Sequence, residues 1–321
     1  MDNSITLTSA SAVRLVHGPA AVLVAIFLLG SYALPQSDFE KPGMSANELA
    51  RRVVSNELKF QNEDHARWMY RLEKEDSERK QVEEILETNI GSLSRLLSIS
   101  GHSLDDKQQQ KEKLRLQRLV SHPAEQKKLQ VASNKKAEQG ERLFKILPDL
   151  FVFDYAGRQG DLVTLSFRPN PSFQSHSIEA LVFHNMQGKM TVDIKQERLA
   201  AINGHLTEDV KFGAGLLGHL DKGGKFDVRQ TEVAPGQWEM TALGVDIKGK
   251  ALLFKKVGAH ETEIHSGFHR VPDNLTLAEA ADMLNTPIVE SDSASHSSSG
   301  ASQELGAERS SASETVLSSR R

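Results

Sequence analysis

The chain has 321 residues, 38% of them hydrophobic, with 39 Lys plus Arg against 43 Asp plus Glu and no cysteine. That length allows a sizeable core in one large domain or two small ones. The near-neutral balance excludes the concentrated basic face of a dedicated nucleic-acid binder. The missing cysteines exclude disulfides, thiolate metal sites, a cysteine nucleophile and lipid attachment at an N-terminal Cys.

Residues 15–37 carry no Asp, Glu, Lys or Arg. Their apolar centre, 20–29 (AAVLVAIFLL), has the length of a signal-peptide core. Ser31-Tyr32-Ala33 places small residues where a signal peptidase reads, and Pro35 ends any helix. The expectation is a signal peptide or an N-terminal anchor over 1–33, because 23 uncharged residues also suffice to span a bilayer. Export to the periplasm or cell envelope follows from either, with membrane contact through 15–37 and a possible inner-membrane anchor if the segment stays uncleaved.

A linker at 34–44 leads to Ser45-Ala46-Asn47-Glu48, a capping box, and Leu49, Val53, Val54 and Leu58 follow at helical spacing. Residues 66–72 alternate Ala66, Trp68, Tyr70 and Leu72 with polar neighbours, which predicts a half-buried strand. A charged turn at 74–77 separates it from strands predicted over 80–88 and 91–98. Residues 105–145 form a long polar helical stretch that Pro123 divides, ending before Pro148. Its interleaved charges describe a solvated face.

From Phe151 short apolar runs alternate with turn signals. These are Ala156-Gly157, Gln187-Gly188, Asn203-Gly204, Asp221-Lys222-Gly223-Gly224, Pro235-Gly236 and Lys248-Gly249. Between them lie Val163-Leu165-Phe167, Met190-Val192-Ile194, Phe226-Val228, Trp238-Met240-Ala242 and 251–254, a pattern that predicts an antiparallel meander reaching about Phe268. A short helix is predicted at 276–284. The tail, 286–321, is Ser-rich with almost no large apolar side chain, and is expected to be disordered.

Motifs that carry chemistry are mostly missing. Gly213-Ala214-Gly215-Leu216-Leu217-Gly218 matches GxGxxG, but a tight turn follows where a dinucleotide loop needs a helix. Gly218 to Lys225 has the wrong glycine spacing for a phosphate loop. His260 and His265 are five residues apart, which puts them on opposite faces of a strand rather than on one helical face for zinc. His184, His205 and His219 fall on different predicted strands. Neither a GxSxG elbow nor a paired carboxylate stands out; Asp154, Asp161, Asp193 and Asp209 sit near turns. No metal, cofactor or catalytic residue is expected. Trp68, Tyr70, Phe167, Phe183, Trp238 and Phe254 fall in predicted strands, where they are core residues or line an apolar groove on a curved sheet.

Residues 190–206 (MTVDIKQERLAAINGHL) resemble the strand–turn–strand signature of the LolA/LolB-like outer-membrane lipoprotein-sorting superfamily. That resemblance implies a curved half-barrel closed by helices, with a cavity for acyl chains. Val192-Asp193 and Arg198-Leu199 carry over, in positions that are structural in the family, while the helical insert 105–147 departs from a compact carrier. Residues 151–169, 208–224 and 233–240 also look like a family of uncharacterised secreted bacterial proteins, over about 45–285, without an assigned activity.

The expected architecture is α+β: a curved antiparallel β-sheet (half-barrel) with helices packed against it in a single domain, 45–285. The expected function is an envelope-associated, non-catalytic binding or carrier protein for lipid or lipoprotein, with no nucleic-acid partner. The alternatives are an envelope module binding a protein partner through the helical insert, and an unrecognised hydrolase.

Overall fold

The computed structural model describes residues 42–174, 177–215, 217–251 and 255–286. The apolar segment 15–37 and the Ser-rich tail lie outside the described residues. Ser45 begins helix α1 (Ala46–Glu63) by accepting the Glu48 amide at 3.2 Å. Its apolar stripe, Leu49, Ala50, Val53 and Val54, is buried. Strands β1 (Arg67–Asp76), β2 (Lys80–Thr88), β3 (Gly91–Ile99) and β4 (His102–Ser103) follow as a meander. Asp105 and Gln108 form a reciprocal capping box for helix α2 (Asp106–Ser121). Helix α3 (Pro123–Leu150) starts on a proline whose missing amide costs nothing there.

The expected end of α3 before Pro148 is corrected: the helix runs through it to Leu150. Leu147 and Leu150 are buried in the core, and that packing outweighs one lost hydrogen bond in the last turn. Then come β5 (Phe151–Gln159), β6 (Leu162–Pro169), α4 (Ile178–His184), β7 (Met186–Asp193) and β8 (Arg198–Leu206). Short β9 (Val210–Phe212) and β10 (Gly218–Leu220) flank a single 3-10 turn at Gly213–Gly215. Strands β11 (Lys225–Ala234), β12 (Gln237–Ala251) and β13 (Lys255–Val271) precede α5 (Leu277–Asn285), capped by Thr276.

Among the described residues all strands join one open antiparallel sheet of 13, in the order β4-β3-β2-β1-β13-β12-β11-β8-β7-β6-β5, with β10 bridging β12 and β9. The fold is α+β, as the sequence implied. Val233 and Ala234 of β11 pack on the cluster of Trp68, Tyr70 and Leu72 in β1. In a flat sheet β1 and β11, with β13 and β12 between them, would lie about 14 Å apart. The sheet therefore curls, and Trp68, Tyr70 and Leu72 lie on its concave side.

Cross-strand partners share a face. Phe167, Met190, Ile202, Phe226 and Val245 meet α1, α3 and α4 in one core. Met69, Leu86, Leu93 and Val271, on the opposite face, meet α2 and α5 in a second. The sheet edges are closed by helix side chains. Glu112 accepts the Leu96 amide at 2.9 Å and Arg115 donates to the Ser94 carbonyl, both on β3. Asn47 accepts the Phe153 amide of β5 at 2.9 Å. These contacts occupy backbone groups that would otherwise template another strand.

Several turn signals prove to be strand interior. Gly157 lies within β5 beside a register shift, and Gly188, Gly204 and Gly249 lie within β7, β8 and β12. A side chain at Gly188 would come 2.6 Å from the Gly204 Cα, and one at Gly204 would come 2.8 Å from the Phe226 ring. These glycines permit close approach between strands, a need that looks like a turn in sequence. The signals at Asp221–Gly224 and Pro235-Gly236 do mark turns, and Gly236 has φ +74°. Phe183, expected in a strand, sits in α4, which Ser177 caps by accepting the Ala180 amide at 3.1 Å.

Candidate functional site

The concave face of β1 and its neighbours carries an unusual set of side chains. Leu72 stands opposite Glu83 of β2 and His265 of β13; Lys74 stands opposite Gln81 and Glu263; Asp76 stands opposite Glu261. Alternation therefore places Trp68, Tyr70, Lys74, Glu83, Glu261, Glu263 and His265 on one face. A register shift between Met69 and Arg71, where Gly267 takes φ +63°, turns Phe268 onto the same face. The rings form a ladder. Trp68 meets Phe268 edge-on at 6.2 Å, Phe268 stacks on Tyr70 at 5.2 Å, and Tyr70 stacks on His265 at 5.1 Å.

Charge begins where the ladder ends. His265 Nε2 lies 3.3 Å from Glu263 Oε2, and Lys74 Nζ donates to Glu263 Oε1 at 2.9 Å and also to Glu261. Burial alone would push the Glu263 carboxyl up, but hydrogen bonds from His265 and Glu261 and the Lys74 charge hold it well below the usual range. Burial would lower Lys74; Glu263 and Glu261 overcome this and raise it. Burial, with the neighbouring Glu263, raises Glu261. Burial likewise raises Glu83.

Three buried polar atoms on this face lack a hydrogen-bond partner among the described residues: Glu83 Oε2, Trp68 Nε1 and Gln230 Oε1. Gln230 belongs here because it alternates with Phe226 and Val228, which stand opposite Val245 and Leu243, themselves opposite Glu261 and Glu263. A fourth carboxylate, Glu87, is buried and accepts the Trp68 amide at 3.0 Å.

The anticipated lining residues separate into groups. Trp68 and Tyr70 are on this ladder. Phe167 packs on Phe151 at 4.5 Å, and Phe183 meets Phe226 edge-on at 6.4 Å, both in the core under α1, α3 and α4. Trp238 is half-buried, and its indole donates to Gln196 at 3.0 Å. Phe254 lies outside the described residues. The family-like motif positions are structural. Asp193 accepts the amides of Lys195 and Gln196 in the β7–β8 turn, and the Arg198 guanidinium forms a buried pair with Glu57 of α1 at 2.7 Å.

The sequence did not single out Lys74, Glu83, Glu263 or Phe268 as parts of a site. Lys74 was assigned to a charged turn, whereas the turn itself is held by Asp76, which accepts the amides of Glu78 and Arg79. The available signal was Glu261, Glu263 and His265 at every second position, one face of one strand. His260 and His265 do point apart: His260 faces Asp246 at 3.7 Å, on the face opposite His265. Among the described residues no group of three His, Cys, Asp or Glu is placed to hold a metal. No helix among them is long and apolar enough to cross a membrane.

On the outer face a shallow open depression of about 620 Å³ lies over β5 to β8, lined by Asp154, Arg168, Lys189 and Asn203. Two cations, Arg168 and Lys189, share it with one carboxylate, Asp154.

No protein-family model matches the chain. No curated protein matches significantly. A solved structure of a DUF1329 family protein from Desulfovibrio piger ATCC 29098 is similar at 9% identity over 71% of this chain and 94% of that chain, with a TM-score of 0.27.

Proposed function

We propose that this chain is a non-catalytic binding or carrier protein of the bacterial cell envelope that holds an apolar ligand, such as lipid or the acyl chain of a lipoprotein, on the concave face of its sheet. The observation that supports this most is the Trp68–Phe268–Tyr70–His265 ladder, covered by a hairpin tip rather than by a helix. Beyond Arg229, β11 pairs with β12 only. A two-stranded ribbon of this kind is marginal on its own and is the part of the cover that a ligand displaces most cheaply. Aromatic rings bury 150–250 Å² each, enough for an acyl chain to be held by contact area. Lys74 engages both Glu261 and Glu263, which suits a recognition face better than an acid–base pair. The 190–206 resemblance to lipoprotein-sorting proteins points the same way, and the reading of 1–33 as a signal peptide or anchor supports an envelope compartment.

Native mass spectrometry of protein purified from membranes tests the proposal. Adducts that shift in mass on delipidation are expected. A chain that arrives free of lipid, and takes up none from mixed vesicles, would overturn it. Comparing the mature mass with the encoded mass checks cleavage after Ala33.

A further inference from the structure

We infer that the end of the sheet built from β9, β10, the last residues of β12 and the first of β13 docks on the surface of a bilayer that carries anionic lipids. This inference does not depend on what the concave face holds.

The first ground is charge placed by register. Lys211 of β9 stands opposite His219 of β10, His219 opposite Lys250 of β12, and Lys250 opposite Lys256 of β13, so one row crosses four strands. Residues 210–220 and 247–259, which contain these strand ends, include Lys211, Lys248, Lys250, Lys255 and Lys256 and no Asp or Glu. The nearest carboxylates lie behind the row, away from the β9–β10 turn. Asp209 accepts the Lys222 amide at 2.8 Å, Asp221 lies 3.2 Å from His219, and Asp246 lies 3.8 Å from Lys248 and 3.7 Å from His260. Lys211 and Lys250 are exposed, and neither has an ion-pair partner among the described residues. The whole chain carries a formal net charge of −4. A basic end on an acidic chain turns toward an anionic surface while the rest is repelled. Each lysine held near such a surface adds an attraction that salt screens.

The second ground is apolar. The GxGxxG match at 213–218 is the β9–β10 turn. Gly213 and Gly215 take φ +55° and +87°, which glycine adopts without strain, and the Leu217 amide closes the turn on the Phe212 carbonyl at 3.2 Å. The turn presents the Leu217 side chain, 59% exposed, beside the lysine row. This pairing of residue types suits an interface: the leucine enters the boundary between head groups and acyl chains while the ammonium groups stay among the phosphates. A polyanion in solution would engage the lysines and leave Leu217 in water, whereas a bilayer engages both.

The chain has no cysteine, so Leu217→Cys in the full chain takes a single environment-sensitive fluorophore. Leu114→Cys on α2, a position 54% exposed, takes the same label as a reference. On vesicles of phosphatidylcholine mixed with phosphatidylglycerol, the label at 217 is expected to shift to the blue and brighten, while the label at 114 stays as in buffer. A signal read at 217 separates this docking from any attachment through 15–37. Lys211→Glu with Lys250→Glu is expected to raise the vesicle concentration for half response at least tenfold, and Lys211→Arg with Lys250→Arg to leave it unchanged. Far-UV circular dichroism confirms that the variants fold, and the comparison of vesicles with the lysine row intact stands without them. No response at 217, equal responses at 217 and 114, or an equal response on phosphatidylcholine alone would each overturn the inference. So would a response that the charge reversal leaves untouched. Soluble polyglutamate that produces the same shift without vesicles would assign the row to an acidic protein and overturn the bilayer. None of these outcomes bears on the ligand proposed above, which mass spectrometry reads separately.

Discussion

Removing the Glu57 carboxylate should be among the most damaging single changes to this fold. The Glu57 and Arg198 side chains are 3% and 5% exposed. Glu57 Oε1 accepts from Arg198 Nε at 2.7 Å and from the Leu199 amide at 2.9 Å, and Oε2 accepts from Arg198 Nη2 at 3.3 Å. In Glu57→Ala the guanidinium stays buried over the Phe60 ring, 4.1 Å away, without a counter-charge, and the Leu199 amide loses its acceptor. Breaking a buried pair from one side costs about 3–5 kcal/mol, a large share of the roughly 5–15 kcal/mol that holds a domain together. Urea denaturation should show a lower midpoint with an unchanged slope. The double variant Glu57→Leu with Arg198→Met removes both charges and should recover most of the loss. A single variant that costs less than about 1 kcal/mol, or a double variant no more stable than the single, would refute this account of how α1 is fastened to the β7–β8 hairpin.

Gly188→Ala should cost about 3 kcal/mol or more, because the new methyl meets strand backbone rather than a yielding side chain, whereas Gly236→Ala, with open space but φ +74°, should cost about 1 kcal/mol; chemical denaturation compares the two. Burial raises the Glu83 pKa, so folding takes up a proton there, and this residue's contribution falls as pH rises from the ordinary 4.5 through the raised folded value. Glu83→Gln should therefore be less costly, or stabilising, at neutral pH and should flatten that part of the stability–pH curve. Glu263 acts in the opposite sense: its lowered pKa lends stability above 4.5 that is lost as pH falls, so Glu263→Gln should hurt most at neutral pH. Replacing Glu112 and Arg115 with Ala frees the Leu96 amide and the Ser94 carbonyl on the edge of β3; concentration-dependent light scattering should rise, and an unchanged signal would sink the idea that α2 guards that edge.

Helix starts were legible because caps and prolines are local, whereas the end of α3 was not, since Pro148 lies inside the helix. Ser45, Asp105, Pro123 and Thr276 each mark their helix where the structure has it. The clear alternation over 66–72 was legible for the same reason, whereas the Glu-rich run before and within 80–88 also favours helix. The glycines misled because Gly188 and Gly204 answer to a neighbouring strand distant in sequence, and a window along the chain cannot see a cross-strand backbone. Phe183 misled because seven residues are too few for a helical period to separate from an apolar run. The candidate site was the least legible part. Lys74 meets Glu261 and Glu263 only because β1 pairs with β13, and nothing local to either strand announces that pairing. The motif positions Asp193 and Arg198 were visible, but Glu57, the partner that explains Arg198, reads in sequence as one more polar helical residue.

The pairing of β1 with β13 also governs the order of events in folding. It joins segments roughly 200 residues apart, Arg67 with Val271, at the middle of the sheet rather than at its rim. The meanders on either side can form from neighbours as they appear, but they remain two separate half-sheets until the last long strand is available to seam them. A chain of this kind stays open until nearly all of it is present and then closes in one late step of high loop-closure cost. Truncation before 271 would leave β1 as a raw edge carrying Trp68 and Tyr70, so the intact C-terminal strand is a condition for solubility as much as for the site.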